Sequence, residues 1–193
     1  MKNFLLIAAV AALYVVSTGC GDKITSLEIS FDYAKQAGPG SNQYAVWVED
    51  ASGQVVKTLF VTRFSALGRS YGESKPERGY TYRPSCVHKW VEDVNADSLT
   101  DEQLDAFTGA TPAEGGLQTF SWDFTDQAGA PVPFGSYTVY IEADLHDWTI
   151  KTFSCPVKYA RSMAPAVLAF DEDYAEPDTR YESMVTNVKF ELK

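Results

Sequence analysis

Apolar and polar residues alternate along much of the chain. Leu27, Ile29, Phe31 and Tyr33 alternate with Glu28, Ser30 and Asp32, and a period of two means a strand with one buried face. Gln43–Asp50 (QYAVWVED) and Gln54–Arg63 (QVVKTLFVTR) are β-rich runs joined by Ala51-Ser52-Gly53, which reads as a hairpin. Phe120, Trp122 and Phe124 alternate with Ser121 and Asp123, and Ser136–Ala143, Trp148–Tyr159 and Glu182–Leu192 read as further strands. Ala164–Thr179 holds prolines and the acidic run DEDYAEPD, and it reads as a solvated loop. The pattern predicts an all-β, antiparallel β-sandwich of about seven strands.

Two stretches break the alternation. Thr100 and Gln103 form a capping-box pattern, Leu104 and Phe107 supply an apolar side and Gly109 a stop, so one short helix is expected there. Residues 65–96 are interrupted by Gly68, Gly72, Gly79, Pro76 and Pro84, while Tyr71, Tyr80, Tyr82 and Trp90 recur. This segment reads as a long, ordered, aromatic-rich insertion loop, and long loops in compact domains usually carry function.

The N-terminus reads as an address. Lys2 precedes the uncharged run Phe4–Val16, whose 13 residues suit a signal peptide better than a membrane span of about 20. The run ends in Ser17-Thr18-Gly19-Cys20, which resembles a bacterial lipobox with Ser17 in the place of the usual Leu. The resemblance implies removal of residues 1–19, lipidation of Cys20 and a domain over 20–193 anchored in the cell envelope. The location implied is periplasmic or outer-membrane, the latter favoured because Gly21, not Asp, follows the cysteine.

Composition narrows the chemistry. The chain has 16 Lys+Arg against 26 Asp+Glu, a net charge of −10. Removing residues 1–19 takes away Lys2 and no acid, which leaves 15 against 26, or −11. Such a surface excludes nucleic-acid binding, which needs a basic footprint. Two histidines and three cysteines leave little for a zinc or haem site, so no metal is expected. Cys86 and Cys155 either pair in an oxidising compartment or stay as buried thiols. The disulfide is the reading taken, because neither has another partner, and it would be worth roughly 4 kcal/mol.

One segment carries a family resemblance. Trp122-Asp123, Asp126, Gly129, Val132, Gly135, Tyr137 and Val139 follow a W-D-x-x-D-x-x-G-x-x-V-x-x-G-x-Y-x-V pattern. This resembles a hairpin module of immunoglobulin-like domains in secreted bacterial proteins. Combined with Tyr44–Asp50, Gly53–Val61, Trp90 and Thr108–Pro112, the chain resembles domain-of-unknown-function family 2271 over most of residues 26–160. The resemblance implies an immunoglobulin-like, extracytoplasmic domain encoded near PepSY membrane proteins and flavin transferases. It brings no reaction of its own.

Asp105-Ala106-Phe107-Thr108-Gly109-Ala110-Thr111 is similar to the D-x-x-[S/T]-G-A-[S/T] target of flavin transferases. That resemblance implies FMN joined to Thr111 as a phosphoester. Asp105, Thr108, Gly109 and Ala110 would form the rest of the recognition site, and a membrane redox protein would be the partner. A hydroxyl can act as the nucleophile once a base activates it, and Gly109 and Ala110 let another backbone approach. The competing reading is a plain helix stop with locally bonded threonines. The protein is therefore expected to be an electron carrier without catalytic turnover. The alternative is a non-enzymatic binding or assembly lipoprotein that uses the aromatic loop.

Other candidates read as structural. His88 and His146 suit solvent-facing or hydrogen-bonded roles. Asp171, Glu172, Asp173 and Asp178 lack the glycine and terminal Glu of an EF-hand. Trp47, Trp90, Trp122 and Trp148 could make a flavin- or sugar-stacking surface, but at strand spacing Trp47 and Trp122 suit a core. Trp90, in the long loop, is the tryptophan most open to a binding role.

Overall fold

The computed structural model describes residues 23–68 and 78–193. Residues 1–22, with the run read as a signal peptide and Cys20, lie outside the described residues, as do Tyr71, Gly72 and Pro76 of the insertion. The strands are β1 (Leu27–Tyr33), β2 (Gln43–Asp50), β3 (Val55–Thr62), β4 (Thr108–Gly109), β5 (Gly116–Trp122), β6 (Gly135–His146), β7 (Thr149–Tyr159), β8 (Ala166–Leu168), β9 (Asp171–Ala175) and β10 (Val185–Leu192). Four short α-helices intervene among the described residues: α1 (Arg63–Leu67), α2 (Gly79–Tyr82), α3 (His88–Asp93) and α4 (Asp101–Asp105).

The strands form two sheets, in the orders β5-β1-β10-β8 and β4-β3-β2-β6-β7-β9. All pairings are antiparallel except β3 with β4. The all-β sandwich is as the alternation predicts, with three strands that the pattern did not reveal. β4 is two residues long. β8 and β9 fall in the segment read as an acidic loop, where β9 pairs residue by residue with β7 as an edge strand.

The alternation in β1 is realised as written: Leu27, Ile29, Phe31 and Tyr33 are buried and the residues between them half-buried. They meet Tyr44, Val46 and Val48 of β2, Val139 and Ile141 of β6, and Phe153 and Val157 of β7. The opposite face of the six-stranded sheet is covered as well. Ala45 and Trp47 of β2 and Val61 of β3 pack there against Leu67, Tyr80, Val87, Trp90 and Leu104. That is why β2 is buried along seven of its eight residues.

The insertion is therefore not a loop. Its described part is a helical cap, α1 to α3, laid on the sheet. Trp90 is fully buried, its indole N–H donating to Thr58 Oγ1 at 3.2 Å. The binding role expected of Trp90 is overturned by this burial. Tyr80 is buried too, and Tyr82 is exposed.

The disulfide is also corrected. Cys86 and Cys155 are both free and buried. Cys155 pairs with Val139 in the inter-sheet core, whereas Cys86 touches Ser65 Oγ at 3.1 Å under the cap. The six-stranded sheet lies between them, so no rotamer brings the sulfurs together.

Candidate functional site

The segment Asp105–Thr111 begins at a helix. Thr100 Oγ1 accepts the Gln103 amide at 3.2 Å and Gln103 Oε1 accepts the Thr100 amide at 2.8 Å, so the capping box is formed. The helix ends at Asp105, four residues before the glycine read as its stop. Gly109 serves another purpose. Thr108 and Gly109 pair with Val61 and Thr62 as β4, and a Cβ at Gly109 would overlap the ring of Phe60. The requirement for glycine is close packing, not helix termination.

The two threonines of the motif are spent differently. Thr108 Oγ1 donates to the Asp105 carbonyl at 3.4 Å. Thr111 is half-buried, lies in neither helix nor strand, and makes no side-chain hydrogen bond among the described residues. Ala110 and Asp105 are exposed.

The registers fix where Thr111 sits. Gly109 pairs with Thr62 at the end of β3, and Gly116 with Tyr33 at the end of β1. Thr111 thus lies at the end of the sandwich away from Ile24 and Leu27. Arg63 follows Thr62, and Lys35 follows Ala34, whose Cα lies 3.5 Å from a Cβ placed at Gly115. Neither cation has an ion pair among the described residues. The acid in this stretch, Glu114, is exposed. Ala106 and Phe107 line a cleft of about 460 Å³, which Val55, Val56, Thr58 and Leu99 also wall.

Beneath the cap is a second polar site that the sequence did not reveal. Glu142 and Asp144, two apart on β6, point away from the inter-sheet core and are buried. Glu142 accepts the amides of Lys89 (3.1 Å) and Trp90 (2.9 Å). Val87, at the N-cap of α3 with φ +45°, has no side chain able to cap, and Glu142 supplies the missing acceptors from the sheet. Asp144 Oδ2 accepts from Ser41 Oγ at 2.6 Å, while its Oδ1 is buried without a partner.

Burial pushes both carboxyls up to about 7, against the pull of the Lys89 and Trp90 amides on one and of Ser41 and Arg83 on the other. Burial also raises the Cys86 thiol, which makes it unreactive. No signal in the sequence distinguishes these acids. In the alternation of Tyr140–Leu145 they occupy the positions that normally meet water.

His88 pairs with Glu92 (3.3 Å) and meets the Trp148 ring edge-on, and His146 stacks on Tyr181. Trp47 and Trp122 are buried and Trp148 is exposed. Glu172 pairs with Lys151, Asp178 with Arg180, and Asp171 and Asp173 lie on β9. No group of three metal-ligating side chains occurs among the described residues.

The turn module is built as its residues suggest. Trp122 Nε1 donates to the Thr125 carbonyl (3.0 Å), Asp126 Oδ1 accepts the amides of Ala128 and Ala130, and Tyr137 Oη donates to the Pro133 carbonyl (2.6 Å).

No curated protein and no solved structure matches the chain. A family model described as "Predicted periplasmic protein (DUF2271)" matches residues 25–172. That span takes in β1 to β8, the described cap and the Asp105–Thr111 segment, and stops before β10; the chain belongs to this family of predicted periplasmic proteins.

Proposed function

We propose that the protein is a lipid-anchored electron carrier of the cell envelope, holding FMN as a phosphoester on Thr111 and having no turnover of its own. The observation that carries this reading is the contrast between the two threonines. Thr108 is committed to the Asp105 carbonyl, whereas the Thr111 hydroxyl is uncommitted and flanked by exposed Ala110. The surroundings suit a phosphodiester. Arg63 and Lys35 bracket the segment through the strand registers and are not neutralised by neighbouring acids. In the attachment step the Thr111 Oγ–P bond forms and the phosphoanhydride of a flavin dinucleotide breaks. A nucleoside monophosphate leaves, and the hydroxyl proton passes to a base on the transferase. An attached flavin would supply the redox chemistry. The chain's own part is to fix its tether through β4 and the Gly109–Phe60 packing.

The test is in-gel flavin fluorescence after co-expression with a flavin transferase. Wild type and Thr111→Ser should give a fluorescent band and Thr111→Ala none. A band in Thr111→Ala would sink the assignment.

A second reading, an immunoglobulin-like binding or assembly module, draws on β5. This edge strand of the four-stranded sheet (GLQTFSW) carries no charge, and Leu117 is 67% exposed. Edges of this kind accept another strand. The reading predicts a flavin-free protein recovered with an envelope partner, and recovery should be lost in Thr119→Lys.

A further inference from the structure

The end of the sandwich opposite Thr111 holds a site that the flavin reading does not use. A cleft of about 650 Å³ opens there, walled by Lys23, Ile24, Phe134, Tyr159, Arg161 and Met163. Its chemistry is mixed in a particular way. Lys23 and Arg161 are exposed and have no ion pair among the described residues, and neither has Lys158, one residue before Tyr159. Elsewhere among the described residues Lys57, Arg78, Lys89, Lys151, Arg180, Lys189 and Lys193 are each held by a carboxylate, and Lys35, Arg63 and Arg83 are the other cations without an ion pair. Beside the two cations Phe134 is 57% exposed, resting on the Tyr159 ring at 4.9 Å. Cationic heads next to an exposed ring make a surface for a ligand that is anionic at one end and apolar at the other.

Chain geometry says where that ligand would come from. Lys23 is three residues after Cys20, and three residues of extended chain reach roughly 10 Å. A diacylglyceryl group on Cys20 would hold this end of the sandwich against the bilayer.

We propose that the Lys23–Arg161 cleft seats the phosphate headgroup of an anionic phospholipid in the membrane that holds the anchor, with Phe134 entering the headgroup layer. The proposal rests on the lipid-anchored part of the reading above and not on the flavin. Arg and Lys bind phosphate through charge-assisted hydrogen bonds, and a negatively charged leaflet attracts basic residues within a Debye length. A net charge of −11 would push the domain off such a surface. A basic cleft at the tethered end instead orients it, with the Thr111 end outward.

The test uses the mature chain, lipidated on Cys20, in vesicles of phosphatidylcholine alone and in vesicles with added phosphatidylglycerol. Amide exchange over residues 159–165 should slow several-fold with phosphatidylglycerol, while the Asp147–Trp148 turn at the far end should not change. Lys23→Glu with Arg161→Glu should abolish the slowing with the protein still anchored and its circular dichroism intact. Equal exchange in the two vesicles, slowing that survives the double substitution, or slowing by inorganic phosphate in micelles would overturn the proposal. Intact mass reports the anchor separately. Should Cys20 carry no lipid, the anchoring reading falls, and co-sedimentation of the unlipidated chain with phosphatidylglycerol vesicles decides for the cleft. Binding lost in the double variant upholds it, and absence of binding overturns it.

Discussion

The two ends of the sandwich spend their polar groups in opposite ways. At the Trp122–Tyr137 end the turn satisfies itself: Trp122 Nε1, Asp126 Oδ1 and Tyr137 Oη all bond within fifteen residues of one another, to the carbonyls of Thr125 and Pro133 and the amides of Ala128 and Ala130. What is left over points outward, as Lys23 and Arg161. At the other end the polar groups go inward. Glu142, Asp144, Ser41, Ser65 and Cys86 lie under the cap, joined by residues far apart in sequence, and one Asp144 oxygen is left unpaired. Local hydrogen bonds of this kind do not need the cap, whereas the buried network is stable only while the cap is shut.

The largest test of that contrast is Trp90→Ala. Removing a fully buried indole and its bond to Thr58 should cost about 3–5 kcal/mol. Denaturant unfolding gives the cost, and hydrogen exchange should show protection lost across α3 and α4 but kept in β1. Uniform loss would mean that cap and sandwich unfold as one unit.

Next in size is a pH effect. Glu142 and Asp144 sit near 7, above their ordinary 4.5 and 3.8. The folded protein therefore holds protons that the unfolded chain releases. The resulting stability is fully present below about pH 4 and is lost as pH rises to about 7. Asp144→Asn removes one of the two groups. Relative to wild type, its stability should improve across that interval by on the order of 4 kcal/mol. Parallel pH profiles for the two proteins would contradict the assignment.

A smaller effect is expected at the other end. Asp126→Ala deletes two turn hydrogen bonds and should cost about 1–2 kcal/mol in denaturant unfolding. The smallest is Gln127→Ala. Gln127 donates its amide to the Val56 carbonyl and accepts the Thr58 amide on its side chain at 2.8 Å, covering the open edge of β3 as a strand would. Its loss should cost about 1 kcal/mol or less and raise self-association in light scattering.

The same contrast explains what could be read from the sequence. The β1 alternation, the β2–β3 hairpin, the Thr100–Gln103 box and the Trp122 turn are local: each residue's partner lies within a few positions, so spacing reveals it. The cap was read as a loop because α1 to α3 are four to six residues long, too short for a helical period to show. Trp90 looked available because nothing local buries it. It is covered by β2, β3 and α4 instead. Cys86 and Cys155 looked like a pair by elimination, and only the sheet between them shows otherwise. β9 was hidden by its charge, since as an edge strand it carries acidic side chains that a central strand would not. Glu142 and Asp144 took the solvent phase of a normal strand, and their burial is imposed by a cap some fifty residues earlier in the chain.

The central claim rests on one oxygen atom, and peptide mass mapping tests it most directly. The native protein, made with a flavin transferase present, is digested and the peptide containing Thr111 is weighed and fragmented. The account predicts a peptide heavier by one FMN less one water, the added mass located on Thr111 and missing from Thr111→Ala. An unmodified peptide, or flavin on any other residue, would contradict it.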